Sequence, residues 1–235
     1  MDEYHIEGGF PVKGTVKASG NKNAALPCIA AAVLTDQPVT LKNLPEIEDV
    51  FVMFEIFKSF GGTIVKLTQN EYTLQLKTVT DYEVPVPLAQ KIRASILFAG
   101  PLLARYGKVM MTPPGGDVIG RRRLDTHFLA LTELGAQVKI NGHFLFTANK
   151  LIGQDIFLDE ASVTATENAV MAAVTAEGET VITNAASEPH IQDLCKLLNV
   201  MGAKISGIGS NILTIQGVPQ LHGARHVGRG WQSQG

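Results

Sequence analysis

One pattern, used three times, constrains this chain more than anything else in its sequence. An amphipathic helical stretch ends at a glycine, and a short β pair follows. The first copy runs over 49–60 and then Gly61-Gly62; the second over 124–134 and then Gly135-Ala136; the third over 191–201 and then Gly202-Ala203. These glycines recur about 70 residues apart, a period suited to a small αβ unit. A glycine placed there takes the left-handed conformation that ends a helix. The β pairs are expected at 63–65 with 72–76 and at 204–206 with 212–215.

Upstream of each copy lies a second helical stretch, rich in small residues, at 24–34, 94–104 and 166–176. Each leads into a strand, at 39–41, 108–111 and 180–182. The unit is therefore helix–strand–helix–strand–strand, and the fold class is α/β (α+β). Helices this apolar on most faces are buried ones. The simplest packing is a bundle of three, wrapped by sheets and amphipathic helices. Residues 1–21 fall outside the triplet and are expected to form a strand pair, from Tyr4-His-Ile-Glu and Gly14-Thr-Val-Lys-Ala, attached elsewhere. The repeats occupy 22–218. Residues 219–235, rich in Gly, Arg and Gln without an apolar face, are expected to be a poorly ordered tail.

Composition narrows the function class. Hydrophobic content of 45%, charged content of 18% and a net charge of -2 describe an ordinary soluble globular chain, with no reason to expect nucleic acid or a membrane as partner. The N-terminus builds no apolar leader, and the longest apolar stretch, 92–104, is broken by Arg93, Ser95, Gly100 and Pro101. Cys28 and Cys195 read as small buried hydrophobes; neither a disulfide nor a metal site is expected, which favours the cytoplasm.

Four strings carry the chemistry. In Ser19-Gly-Asn-Lys-Asn-Ala-Ala-Leu-Pro27, Lys22 and Asn23 stand at a helix start, where free N–H groups and the helix dipole favour an anion. The same string also fits an Asn cap with a solvated lysine. Lys91-Ile-Arg-Ala-Ser95 opens the matching helix of the next unit, so Arg93 holds nearly the place of Lys22; a snorkelling arginine is the plainer account. Thr112-Pro-Pro-Gly-Gly-Asp-Val-Ile-Gly-Arg-Arg-Arg-Leu-Asp-Thr-His127 begins as a bendable loop with Asp117 at its tip. Its Arg121, Arg122 and Arg123 form a run suited to phosphate or carboxylate, or to solvent. Ser162-Val-Thr-Ala-Thr-Glu-Asn168 offers hydroxyls and N–H groups to a diphosphate, or ordinary capping.

In order and spacing these strings resemble the enolpyruvyl transferase family, in the branch that joins enolpyruvate to UDP-N-acetylglucosamine. The likeness covers about residues 1–218. It implies one globule of a two-globule fold, each globule built of three αββαβ-type units with the active site in the cleft between. It implies cytoplasmic peptidoglycan synthesis from phosphoenolpyruvate and UDP-N-acetylglucosamine, with no metal or organic cofactor. Lys22, Arg93 and Arg122 would hold the phosphate and carboxylate of phosphoenolpyruvate, and Asn23 the sugar nucleotide. Arg122, Arg123, Leu124, Asp125 and Thr126 would line the uridine pocket. Ser162, Val163 and Thr164 would meet the diphosphate, and Asp117 would be the general acid. The shikimate branch is the runner-up substrate class; a non-catalytic UDP-sugar binding module is another.

Three departures stand out. Family members are longer, and their second globule supplies a carboxylate base and further arginines; a partner chain would have to provide these. Glu160 also stands where a lysine often lies near the diphosphate. The loop carries Asp117 where a cysteine is usual, and a carboxylic acid still serves as proton donor. Thiol-directed epoxide inhibitors are therefore expected to leave the protein unmodified. Peptide mass mapping after incubation checks this; an adduct on the 115–120 loop would refute it.

Overall fold

A computed structural model describes residues 3–11, 13–15, 19–116 and 124–228. In the first unit, helix α1 (Lys22–Ala31) tightens into a 3-10 turn at Ala32–Leu34, then come strand β1 (Val39–Lys42), helix α2 (Glu48–Ser59) and strands β2 (Thr63–Thr68) and β3 (Glu71–Gln75). The second unit opens with the short helix α3 (Val86–Ala89) and a 3-10 segment, Arg93–Phe98, that runs into α4 (Ala99–Tyr106). There follow β4 (Lys108–Met111), α5 (Asp125–Glu133), β5 (Gln137–Ile140) and β6 (Phe144–Thr147). The third unit has β7 (Asp155–Phe157), α6 (Val163–Ala173), β8 (Glu179–Thr183), α7 (Pro189–Val200), β9 (Lys204–Ser206) and β10 (Ile212–Gln216). Strand β11 (Ala224–Val227) ends the described chain.

Helices α2, α5 and α7 are each followed by a glycine with positive φ: Gly61 at 95°, Gly135 at 98° and Gly202 at 102°. The left-handed residue stops each helix and turns the chain into an antiparallel pair, β2–β3, β5–β6 or β9–β10. The three sheets have the orders β11-β1-β3-β2, β4-β6-β5 and β7-β8-β10-β9. In the third, β7 lies parallel to β8, donated by the residues just before the unit's buried helix. Glu83 makes the same kind of parallel bridge to Met110 in the second. The first sheet takes its parallel strand from the far end of the chain, with β11 beside β1.

That last pairing corrects the expected tail. Residues 224–227 form a strand, the Gly228 N–H donates to the Lys42 carbonyl, and the Gly228 carbonyl accepts from the Asn43 side chain. The apolar pattern missed it because its two less exposed positions are Ala224 and His226. The backbone edge of β1, not side-chain hydrophobicity, recruits this segment. The ordered body thus reaches residue 228, and residues 229–235 lie outside the described part. At the other end, residues 3–15 show no strand among those described; Tyr4, Ile6 and Phe10 are 73–90% exposed. No helix among the described residues is long and apolar enough to cross a membrane.

The core is the three-helix centre anticipated above: α1 with residues 24–31 buried, the 3-10 segment with α4, and α6 with residues 165–173 buried. Small residues let these backbones approach closely. A Cβ on Gly100 would come within 2.5 Å of the Asn168 carbonyl oxygen. Gly100→Ala is expected to force α4 off α6 and cost about 1–3 kcal/mol. Urea unfolding measures this as a lower midpoint with an unchanged m-value.

Candidate active site

The starts of the three buried segments face one cleft of about 800 Å³. Lys22 and Asn23 enter from α1, Lys91 and Arg93 from the second unit, and Ser162, Val163 and Thr164 from α6. Asp49, Gly116, Glu160, Glu167 and His190 complete the parts of its wall that bear on chemistry.

At α1 the structure supplies the Asn cap that the string also fitted. Asn21 is the cap, and its side chain accepts from the N–H groups of Asn23 (2.8 Å) and Ala24 (3.3 Å). Lys22 and Asn23 therefore lie inside the first turn, and two of the N–H groups available to an anion are already taken. Attraction for an anion here rests on the Lys22 ammonium, which pairs with Asp49 at 2.7 Å. Pro27, also in the wall, has no N–H to give the Asn23 carbonyl one turn back, which leaves an acceptor at the cleft.

At α6 the free N–H groups remain. Ser162 caps the helix through Ala165 N–H, so Val163 and Thr164 occupy the first two helical positions, whose N–H groups have no acceptor within the helix. Behind Thr164 stands a fixed relay. The buried Asn168 Oδ1 accepts from Gly100 N–H at 2.8 Å, which orients the amide. Its Nδ2 then donates to the Ile96 carbonyl and to His127 Nδ1, both at 2.9 Å. His127 must carry its proton on Nε2, 3.1 Å from Thr164 Oγ1. The Thr164 oxygen accepts that bond, and its own hydrogen is available to a ligand in the cleft. Burial, with a smaller contribution from the Arg93 charge, lowers the His127 pKa to about 3, so the ring is neutral.

Leu124, Asp125 and Thr126 do not line the cleft. Leu124 packs against the core, Asp125 is exposed in the first turn of α5, and Thr126 donates to Asp159 at 2.7 Å. Asp117, Arg122 and Arg123, with Arg121, lie outside the described residues. The root of their loop is fixed at the cleft: Gly115 and Gly116 N–H groups donate to the Ala89 and Gln90 carbonyls. A Cβ on Gly115 would meet the Gln90 carbonyl oxygen at 1.8 Å, so the strands of chain meet with no room for a side chain.

Sequence reasoning passed over Asp49, Glu167 and His190. Glu167 is 1% exposed, and burial, with the Glu188 charge beside it, pushes its pKa well above the usual carboxylate range. Its Oε1 and the Nε2 of His190 are buried without a hydrogen-bond partner. Burial also lowers the His190 pKa, against the raising effect of Glu188. The cleft thus carries a buried acid and an imidazole with uncommitted atoms. The signal was present in Thr-Glu-Asn, one acid within an otherwise small and apolar helix.

Residues 6–230 match the EPSP synthase (3-phosphoshikimate 1-carboxyvinyltransferase) family, and the chain belongs to that family. Within it, the chain is 69% identical to the UDP-N-acetylglucosamine 1-carboxyvinyltransferase of Treponema denticola, over 96% of this chain and 53% of that protein. Identity to the same-named protein of Treponema pallidum is 67%, over 97% of this chain and 53% of that one. The chain therefore spans about half the length of the curated relatives it matches. Among solved structures, the enolpyruvyl transferase NikO from Streptomyces tendae shares the fold, with a TM-score of 0.82 at 23% identity, over 96% of this chain and 54% of that one.

His127 and Glu167 predict opposing pH dependences. His127 has a folded pKa below its ordinary 6.5, so the stability it contributes is present above pH 6.5 and lost as pH falls toward 3. Glu167 has a folded pKa above its ordinary 4.5, so its contribution is present below pH 4.5 and lost as pH rises. Between 4.5 and 6.5 the two slopes oppose each other. Urea titrations across that window are expected to show His127→Gln making stability fall more steeply as pH rises. Glu167→Gln makes it fall more steeply as pH drops, each by up to about 1.4 kcal/mol per pH unit.

Proposed function

We propose that this chain is one globule of an enzyme that transfers the enolpyruvyl group of phosphoenolpyruvate to the 3-hydroxyl of UDP-N-acetylglucosamine. One observation carries the reading: helix starts from three separate units bring Lys22, Arg93, Ser162, Val163 and Thr164 to a single cleft. The names of the 69% and 67% identical relatives agree with it.

In this reading Lys22 and Arg93, joined by Arg122, hold the phosphate and carboxylate of phosphoenolpyruvate by charge in a site screened from water. Val163 and Thr164 N–H groups, with the Thr164 hydroxyl, take the diphosphate. Asn23 contacts the sugar nucleotide, and Arg122, Arg123, Leu124, Asp125 and Thr126 make up the uridine side of the site. Asp117 gives its proton to the methylene carbon while the sugar oxygen bonds to the neighbouring carbon. The methyl group then returns a proton, and phosphate leaves with the C–O electron pair. Residues 1–21 pair with a second globule, which supplies the base that takes the hydroxyl proton. A chain holding one wall of the cleft binds substrate yet loses most of the orientation and water exclusion that the reaction needs. The proposed substrates, a nucleotide sugar and a small phosphorylated acid, support a cytoplasmic setting.

Titration calorimetry is expected to show binding of UDP-N-acetylglucosamine and none of shikimate 3-phosphate. Phosphate release from phosphoenolpyruvate by residues 1–235 alone is expected to be slight and to rise when the second half of a relative's chain is supplied. Glu160 lines the cleft beside Ser162 and repels a diphosphate, so Glu160→Lys should tighten nucleotide binding several-fold. Binding of shikimate 3-phosphate without the nucleotide sugar would overturn the assignment.

A further inference from the structure

We propose that Cys28, Asp193 and His226 form a buried site for one divalent transition-metal ion of the zinc or cobalt type. The three residues come from α1, α7 and β11, and one ligand atom from each lies within 4.8 Å of the other two. Asp193 Oδ1 and His226 Nε2 are already 3.1 Å apart. A tetrahedral ion with bonds of about 2.0–2.3 Å sets its ligands roughly 3.3–3.8 Å from one another. The Cys28 sulfur, within 4.8 Å of both, closes to that spacing to complete the triangle.

Charge and space both fit. A thiolate and a carboxylate cancel a doubly positive ion, so the loaded site is neutral, which burial demands. Cys28 and Asp193 are each 2% exposed, and the His226 side chain 11%. Thiolate and imidazole select zinc or cobalt over magnesium or calcium, which take oxygen ligands. Cys28 and His226 also border a cavity of about 10 Å³, close to the volume of one water, which supplies a fourth ligand. This cavity shares no lining residue with the substrate cleft.

Binding is coupled to protons. The Cys28 thiol releases its proton to solvent as the sulfur–metal bond forms. The Nε2 lone pair of His226 turns to the ion, and the ring proton resides on Nδ1. A hydrogen bond between Asp193 and His226 alone would leave the sulfur a bystander, so the sulfur decides between the two readings. A bound ion joins β11, the strand that closes the first sheet, to two helices. The sequence hid this cluster because its members are far apart in the chain and share no spacing motif.

The test uses the 235-residue chain, treated with chelator, kept reduced with a phosphine and titrated with Co2+. One equivalent is expected to bind with a sulfur-to-cobalt charge-transfer absorption, and Zn2+ should displace it. Cys28→Ala is expected to lose that absorption and bind at least tenfold more weakly, whereas Cys195→Ala retains both. His226→Gln keeps the sulfur and gives a second reading, again with at least tenfold weaker binding. A native chain without the charge-transfer absorption overturns the site. So does an absorption that survives Cys28→Ala, or unchanged affinity in His226→Gln.

Discussion

The side-chain amide of Asn168 is the joint on which the rest of this structure depends. It is fully buried at the centre of α6, and its oxygen and both of its hydrogens are committed, to Gly100, to Ile96 and to His127. Through these bonds it fixes the second buried segment against the third and holds α5 in place behind the cleft. An amide in an apolar core is costly unless every group is matched, and here every group is. The same matching sets the tautomer of His127 and therefore the direction of the Thr164 hydroxyl. Packing and chemistry are specified by one residue.

The fold was legible where its logic is local. Helices that stop at Gly61, Gly135 and Gly202 announce themselves, since a left-handed residue after an amphipathic run has few other uses. The buried character of α1, α4 and α6 followed from the lack of a polar face. What escaped was long-range. Strand β11 is held by backbone pairing and has little apolar content, so nothing in residues 224–227 themselves reveals that β1 needs them. Equivalent strands in the other two sheets come from residues just upstream, which made a contribution from the opposite end harder to anticipate.

The site divides along the same line. Lys22, Arg93 and the Ser162-Val163-Thr164 turn were visible because each stands at a helix start, and helix starts of equivalent units meet at one end of a bundle. The Asn cap that the first string also fitted is Asn21, which matters because it occupies N–H groups otherwise open to a ligand. Asp49, Glu167 and His190 were invisible for another reason. Their importance arises from burial and from partners left unmatched, neither of which a one-dimensional pattern records. Leu124 and Thr126 show a limit of the motif: it does not foresee that Leu124 packs against the core or that Thr126 donates to Asp159.

The parallel pairing of β11 with β1 bears on synthesis as well as on shape. Asn43 and the Gly228 carbonyl it grips are separated by 185 positions along the chain. At ribosomal rates of about 5–20 residues per second, the first sheet waits roughly 10–40 s for its last strand. During that interval the edge of β1 is open to other chains, while the second and third sheets, whose strands arrive together, are free to form. Of the three sheets, the first to be translated is thus the last to be finished.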